Sequence, residues 1–281
     1  MSDNSLWSQP IETLAPKIEK GDLSPVQLVD CLLDRIEKYD GLIKSFVSMG
    51  PDIRNQAIDA EKQIKEGRYK GPLHGVPIAI KDNYLTSDMQ TKAGTRSEVN
   101  FPSKDSFCVA KLREAGAIII GKTNMKEFAW GGDTPPTRNP WNTACVPGGS
   151  SGGSGAAIAA GFVSAALGSD TGGSIRMPAG LCGTVGLKPT YGLIGRSGIV
   201  PHSWSLDHAG PLAATVADMV FVTEALQGYD ENDPGNVNIK PQKFTEALGA
   251  DVKNLKIGIC RNHFFEGLET DVEKNVEAAI D

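Results

Sequence analysis

Serine hydroxyls and glycine backbone groups are concentrated in one stretch of the chain, residues 148–174 (GGSSGGSGAAIAAGFVSAALGSDTGGS). Glycine lets the backbone approach closely and adopt positive φ, and serine offers a nucleophilic hydroxyl. The glycine-serine turns enclose a small apolar run, unlike a flexible linker, which is polar throughout. They are either tight turns in a crowded core or two loops that bring serines and backbone N–H groups together. We favour the second interpretation, a catalytic site.

Several known glycine- and serine-rich motifs do not fit this stretch. A P-loop requires Gly-Lys-Ser/Thr after its glycines, and a dinucleotide fingerprint opens directly after a strand; this stretch has neither feature. Residues 148–152 match the G-x-S-x-G string of α/β-hydrolases, but residues 143–147 before it are too few for the strand and end in proline. The Ser-x-x-Lys pair of penicillin-binding enzymes is absent from the sequence.

The base that would activate a serine is not identified by these turns alone. A Ser-His-Asp arrangement could use His202, His208 or His263, but none of them lies in a motif typical of a base. His74 is a lone histidine in a turn, and we interpret it as structural. Lys81 directly follows the apolar run 76–80, which predicts a buried strand. A lysine at the end of a strand is more often a charge that reaches solvent than a functional group.

Apolar periodicity predicts an alternation of helices and short strands. The expected helices run from 24 to a stop at Gly41 and over 53–66, 106–115, 154–160 and 215–226, and a helical pattern continues through 272–280. The expected strands cover 76–80, 117–120, 163–167 and 255–260. Residues 228–242, rich in Asp, Asn and Pro, are expected to form a loop. This alternation favours an α/β sandwich.

Composition limits the class of protein. The 281 residues carry a net charge of −6, which argues against a direct nucleic-acid surface. The five cysteines are scattered and never spaced CxxC, a pattern that favours reduced thiols over disulfides or a zinc site. The N-terminus has no signal-peptide pattern, and the longest weakly polar run, 156–168, is too short to span a membrane. We therefore expect a soluble cytoplasmic protein.

Four segments together resemble the amidase signature family: GVPIAIKDN (75–83), PGGSSGGSGAAIAAG (147–161), GSDTGGSIRMPAGLCGTVGLKPTYG (168–192) and SLDHAGPLA (205–213). The resemblance runs over nearly the whole chain and is densest between 147 and 213. It implies an α/β/α sandwich around a mixed β-sheet. It also implies hydrolysis of a carboxylic amide through a seryl acyl-enzyme, with release of an acid and ammonia or an amine. No metal or organic cofactor is implied.

The resemblance also implies roles for individual residues. It identifies Ser174 as the nucleophile, Ser150 as a bridging serine joined to Gly149 by a cis peptide bond, and Lys81 as the general base. The oxyanion hole would consist of backbone N–H groups, those of Thr171, Gly172, Gly173 and Ser174. Three further residues would support these groups: Asp170, Arg176 and Ser151.

The chemistry of these residue types agrees with the implied roles. A lysine acts as a base only if its pKa falls from about 10.4 to near 7, roughly 4–5 kcal/mol of differential solvation that burial can supply. A serine hydroxyl both donates and accepts, so Ser150 could pass a proton from Ser174 to Lys81. This relay requires Ser150 to lie within hydrogen-bond reach of both residues. Glycines beside the nucleophile let consecutive N–H groups turn toward one oxygen.

Two departures from the family pattern affect the expected extent of the protein. Residues 128–137 (FAWGGDTPPT) are shorter than the loop that many members carry, so the resemblance does not extend to that wall of the substrate cleft. Members usually extend well beyond residue 281. We expect residues 1–281 to form a single domain that lacks the C-terminal part usual in the family.

The resemblance leaves more than one function open. The first is a free amidase acting on a small-molecule amide, monomeric or homodimeric. The second is the glutaminase subunit of a glutamyl-tRNA(Gln) amidotransferase, which would need partner subunits to carry the tRNA. The third is a non-catalytic fragment that retains the fold and binds a partner.

Overall fold

Helices and short strands alternate along the chain. The computed structural model describes residues 6–97 and 104–281, which fall into two units, residues 1–245 and 246–281. The helices of the first unit are α1 (Ile11–Lys20), α2 (Pro25–Ile43), α3 (Ile53–Lys65), α4 (Phe107–Glu114), α5 (Gly152–Ala159), α6 (Arg176–Cys182) and α7 (Val216–Leu226). Its strands are β1 (Phe46–Met49), β2 (Pro77–Lys81), β3 (Ile118–Thr123), β4 (Ala165–Asp170), β5 (Val185–Gly186) and β6 (His208–Ala213). The second unit contains α8 (Thr270–Ile280).

The strands form one mixed sheet in the order β1-β3-β2-β4-β6-β5. β2 is parallel to both β3 and β4, whereas β1, β5 and β6 join by antiparallel pairing. Every residue of β2, β3 and β4 is buried, which explains why their sequences are apolar on both faces. α5 packs against β4, and α7 packs against β6. The α/β/α sandwich around a mixed sheet that the sequence indicates is confirmed.

The start of α2 follows from its sequence. The Ser24 hydroxyl accepts a hydrogen bond from the Val26 N–H at 3.0 Å, and the Gln27 side chain accepts one from the Ser24 N–H at 3.1 Å. Pro25 occupies the first helical position, where its missing N–H has no consequence. The expected stop at Gly41 is wrong, because glycine in a helix costs only about 1 kcal/mol relative to alanine. The helix continues to Ile43, and Lys44 ends it in the left-handed conformation.

One predicted strand is wrong. Residues 255–260 are exposed and form no strand in the part of the chain that the structure describes. The segment has the alternating apolar residues of a strand, but no neighbouring strand within residues 246–281 pairs with it, and an unpaired strand is not stable in water. Residues 228–242 form the expected loop. Among the described residues, no helix has the length and apolar character needed to cross a membrane.

Candidate active site

The two central parallel strands end at the same edge of the sheet. Ile80 of β2 lies opposite Leu167 of β4, so the next residues, Lys81 on β2 and Ser169 on β4, emerge close together. The carboxyl ends of parallel strands are the usual location of ligand sites in α/β sheets. Ser150 reaches this edge from the glycine-serine turn that precedes α5.

Lys81 is fully buried and hydrogen-bonded at this edge. Its Nζ lies 2.7 Å from Ser150 Oγ, across a sequence separation of 69 residues. It also donates to Ser169 Oγ at 2.9 Å and to the Ser169 carbonyl at 3.4 Å. The structure therefore forms the contact between Lys81 and Ser150 that the relay requires.

The environment of Lys81 favours the neutral amine. Burial lowers the pKa of Lys81 to about 7, although the nearby charges of Asp170 and Asp207 act in the opposite direction. Above this pH the amine has a lone pair that can accept a proton from the Ser150 hydroxyl. A buried lysine of this kind can serve as a general base near neutral pH.

Ser174 lies next to these groups but is not hydrogen-bonded to Ser150. The Gly149–Ser150 peptide bond is cis and Ser150 is buried, while Ser174 is half-buried. The Ser151 N–H donates to the Ser174 carbonyl at 3.2 Å, which joins the two glycine-serine turns. Ser174 Oγ has no hydrogen-bond partner among the residues that the structure describes. Catalytic hydrogen bonds commonly tighten only in the substrate complex.

The backbone N–H groups before Ser174 divide into two kinds. Within the described residues, the N–H groups of Thr171, Gly172 and Ser174 have no hydrogen-bond partner. The Gly173 N–H instead donates to Asp170 Oδ1 at 2.8 Å, and Gly173 has a φ of 135°. Three of the four expected oxyanion donors are therefore available to a ligand, whereas Asp170 engages the fourth.

The residues expected to support the site do contact its turns. Arg176 donates to Asp170 through Nε at 3.1 Å and through Nη2 at 3.0 Å. Burial alone would raise the pKa of Asp170, but hydrogen bonds from Arg176 and from backbone N–H groups outweigh it and lower that pKa. Ser151 Oγ donates to the Ser169 carbonyl at 3.2 Å and accepts from the Ser169 N–H at 3.3 Å. Both contacts hold the end of β4 against the turn that carries Ser150.

Three polar residues of the site were not singled out by sequence reasoning. Ser169 contacts Lys81, and Asn83 Nδ2 donates to Ser169 Oγ at 3.0 Å. Thr134 Oγ1 donates to the Gly148 carbonyl at 2.9 Å and accepts from the Gly152 N–H at 3.2 Å. Ser169 and Asn83 lie inside the segments that carry the family resemblance, at the ends of predicted strands. That position is the signal that could have identified them.

The histidines lie apart from the candidate serines. Within the described part of the chain, none of the four forms a hydrogen bond with Ser150, Ser151 or Ser174. His202 and His208 instead contact the carbonyl oxygens of Phe128 and Leu206. The geometry thus offers no support for a Ser-His arrangement. No group of three His, Cys, Asp or Glu side chains among the described residues is placed to hold a metal ion.

Comparison with known proteins identifies the family. Residues 27–281 match the family model described as Amidase. The chain belongs to the amidase signature family. It is 45% identical to the amidotransferase protein of this family from Exiguobacterium sibiricum, which is named as one of the subunits of glutamyl-tRNA(Gln) amidotransferase. That alignment covers 98% of the chain and 58% of the relative. The chain thus spans little more than half the length of this relative.

Solved structures of the amidase signature family have the same fold. The native peptide amidase of Stenotrophomonas maltophilia is 36% identical, with a TM-score of 0.81 over 85% of this chain and 53% of that protein. The corresponding glutamyl-tRNA(Gln) amidotransferase subunit from Thermotoga maritima is 42% identical, with a TM-score of 0.71 over 84% of this chain and 50% of that protein. At these identities the likeness extends to sequence as well as fold.

Proposed function

We propose that this amidase-family chain hydrolyses a carboxylic amide, with Ser174 as nucleophile, Ser150 as proton relay and Lys81 as general base. The single observation that carries the proposal is the hydrogen bond of 2.7 Å between the buried Lys81 Nζ and Ser150 Oγ. A purely structural lysine would be expected to reach solvent or a carboxylate partner. This one ends among hydroxyl groups beside the expected nucleophile.

The proposed reaction proceeds in two stages. Ser174 Oγ attacks the amide carbonyl while its proton passes to Ser150 Oγ, and the proton of Ser150 passes to Lys81 Nζ. The negative oxygen of the tetrahedral intermediate accepts hydrogen bonds from the Thr171, Gly172 and Ser174 N–H groups. The C–N bond then breaks, and the leaving nitrogen takes a proton back along the same relay. Water attacks the resulting ester by the same steps and releases the acid.

A second candidate function is supported by the relatives. They share a name that makes them subunits of glutamyl-tRNA(Gln) amidotransferase, which favours glutamine as the amide and ammonia transfer to a partner protein. Purification from the native source distinguishes the two candidates, because an amidotransferase component copurifies with its partners and a free amidase does not. Turnover of a panel of amides that includes glutamine identifies the substrate.

Labelling with a fluorophosphonate tests the proposed roles directly. We expect one covalent adduct, located on Ser174 by peptide mapping, and no adduct in the Ser174→Ala variant. An adduct on Ser150 or Ser151 would overturn the assignment of the nucleophile. Absence of any adduct in the folded chain would favour the third alternative, a non-catalytic protein that retains the fold.

A further inference from the structure

Asp207 connects the loop before β6 to the turn that contains Ser174. Its Oδ1 accepts a hydrogen bond from the Thr171 hydroxyl. Its Oδ2 accepts from the backbone N–H groups of His202 at 2.7 Å and Ser203 at 3.0 Å. One carboxylate therefore holds the first residue of the turn 171–174 against the loop 201–207.

This loop is itself held in place by an ion pair. Arg196 Nη1 donates to the carbonyl oxygens of Trp204 at 2.9 Å and Asp207 at 3.1 Å. The same guanidinium pairs with Asp233, with its Nη2 2.8 Å from Asp233 Oδ1 and the Asp233 side chain only 5% exposed. Asp207 thus holds Thr171 from an anchored segment of backbone.

The charge of Asp207 also acts at the candidate site. Asp207 and Ser169 line the same cleft, and Ser169 contacts Lys81. Two carboxylates influence Lys81 from this side, but that of Asp170 is paired with Arg176. Asp207 forms no ion pair with any residue that the structure describes. Its negative charge therefore acts on Lys81 without a neutralising partner.

The remaining charged groups near Lys81 have partners of their own. On the neighbouring strand β3, Lys122 Nζ lies 3.6 Å from Asp82 Oδ1. On the other side, His208 of β6 lies opposite Asp170 in the sheet, and its Nε2 contacts Lys188 Nζ at 3.3 Å. Asp207 is therefore the unpaired carboxylate facing the base.

We propose that Asp207 is a positioning residue with two separable effects on the reaction. Its hydrogen bond to Thr171 fixes the turn that presents the oxyanion donors, and its carboxylate charge stabilises the ammonium form of Lys81. The proposal rests on the proposed amide hydrolysis. It adds a residue outside the serine-lysine relay to the machinery of that reaction.

Two substitutions separate the hydrogen bond from the charge. Asp207→Asn removes the charge but retains an amide that can hydrogen-bond to Thr171, since a hydroxyl also accepts. Thr171→Val removes the hydrogen bond and keeps the charge. For the fluorophosphonate labelling rate of Ser174, we expect Asp207→Asn to move the midpoint of the basic limb to lower pH by roughly 0.5–1 unit. We expect Thr171→Val to slow labelling about tenfold at all pH values, as misaligned oxyanion donors do.

The controls exclude a general loss of structure. Thr171→Ser retains the hydroxyl and is expected to label at the wild-type rate. Asp88→Asn removes a carboxylate that pairs with Arg113 and is expected to leave both the rate and its pH midpoint unchanged. A wild-type pH midpoint in Asp207→Asn, or a shift to higher pH, overturns the charge effect. A wild-type labelling rate in Thr171→Val overturns the positioning effect.

Two readouts remain valid even if the proposed hydrolysis fails. The titration of Lys81 can be followed by NMR of the chain with ¹³C-labelled lysine, and we expect its midpoint to fall in Asp207→Asn. Hydrogen exchange of the backbone amides of residues 171–174 is expected to accelerate about tenfold in Thr171→Val because the turn opens more readily. An unchanged titration or unchanged exchange contradicts the proposal. Absence of labelling in the wild type would contradict only the proposed function.

Discussion

At the scale of single residues, the site depends on one lysine that is kept from solvent. Lys81 ends a buried strand and meets Ser150 and Ser169 in place of water or a carboxylate. Burial lowers its pKa to about 7. Its side chain must be neutral to accept a proton from Ser150, so the fraction of active molecules follows its titration.

Substitution of Lys81 should remove the base without removing the nucleophile. We expect Lys81→Ala to lower kcat by several orders of magnitude, and Lys81→Arg not to restore it, because a guanidinium does not deprotonate near neutral pH. In the wild type, kcat/KM should rise about tenfold per pH unit below pH 7 and level off above it. A rate that is constant between about pH 5 and 9, with chemistry limiting, would contradict a lysine base.

The identities of the chemical residues could be predicted from the sequence, but their contacts could be predicted only in part. Lys81 and Ser150 meet as expected, whereas the hydrogen bond between Ser150 and Ser174 is not formed. The Gly173 N–H turns toward Asp170, since it is the donor nearest in sequence that can satisfy that buried carboxylate. Contacts of Ser169 and Asn83 depend on the register of β2 against β4, which a motif does not specify.

At the scale of elements, α5 requires glycine because its first turn is pressed against neighbouring backbone. A Cβ atom on Gly153 would lie 2.4 Å from the Asn124 carbonyl oxygen and 2.6 Å from that of Ser45. Neither neighbour is a flexible side chain that could move aside. The small residues of this helix therefore let the turn that carries Ser150 approach the end of β3.

A pair of helical glycine substitutions tests this close approach. Gly153→Ala should lower the free energy of unfolding by about 1–3 kcal/mol, the usual effect of overpacking. Gly180→Ala, on α6, would meet no atom within 4 Å and should be neutral or stabilising by up to about 1 kcal/mol. Urea denaturation of both variants measures the difference. Equal stability of the two variants would show that the space around Gly153 is not limiting.

The elements themselves were predictable where local pattern and tertiary partner agree. The runs expected at 76–80, 117–120 and 163–167 correspond to the central strands β2, β3 and β4 with boundaries displaced by a few residues. The expected strand at 255–260 is wrong because its pattern finds no partner. Conversely, β6 (HAGPLA) contains Gly210 and Pro211 and lacks a strand pattern, yet it pairs along β4 over its whole length. Pairing partners, which decide both cases, are not encoded locally.

At the scale of the whole molecule, the buried lysine reduces the stability of the fold. The pKa of Lys81 is about 7 in the folded chain and about 10.4 in an unfolded one. Between these values the unfolded chain binds one more proton, so this group makes stability rise with pH. Below pH 7 the folded chain bears the full penalty of about 4–5 kcal/mol. Above pH 10 the penalty is gone.

Replacement of Lys81 by an apolar side chain of similar length should reverse this effect. We expect Lys81→Met to raise the free energy of unfolding relative to the wild type at pH 6 by a few kcal/mol, and to raise it less at pH 9. Urea denaturation at the two pH values measures the gain. A gain that is the same at both values would indicate that the lysine titrates as an ordinary exposed one.

The parallel pairing of β2 with β4 also determines when the site forms as the chain folds. Ile80 pairs with Leu167, and Lys81 contacts Ser169 across 88 residues, so a long loop must close before these groups meet. Helices α2 and α3, which pack together and are near in sequence, form by much faster local steps. In stopped-flow refolding from urea, we therefore expect the helical circular dichroism to recover before Ser174 becomes reactive toward a fluorophosphonate. Recovery of both signals with one rate constant would indicate instead that local helices and the distant strands assemble in a single cooperative step.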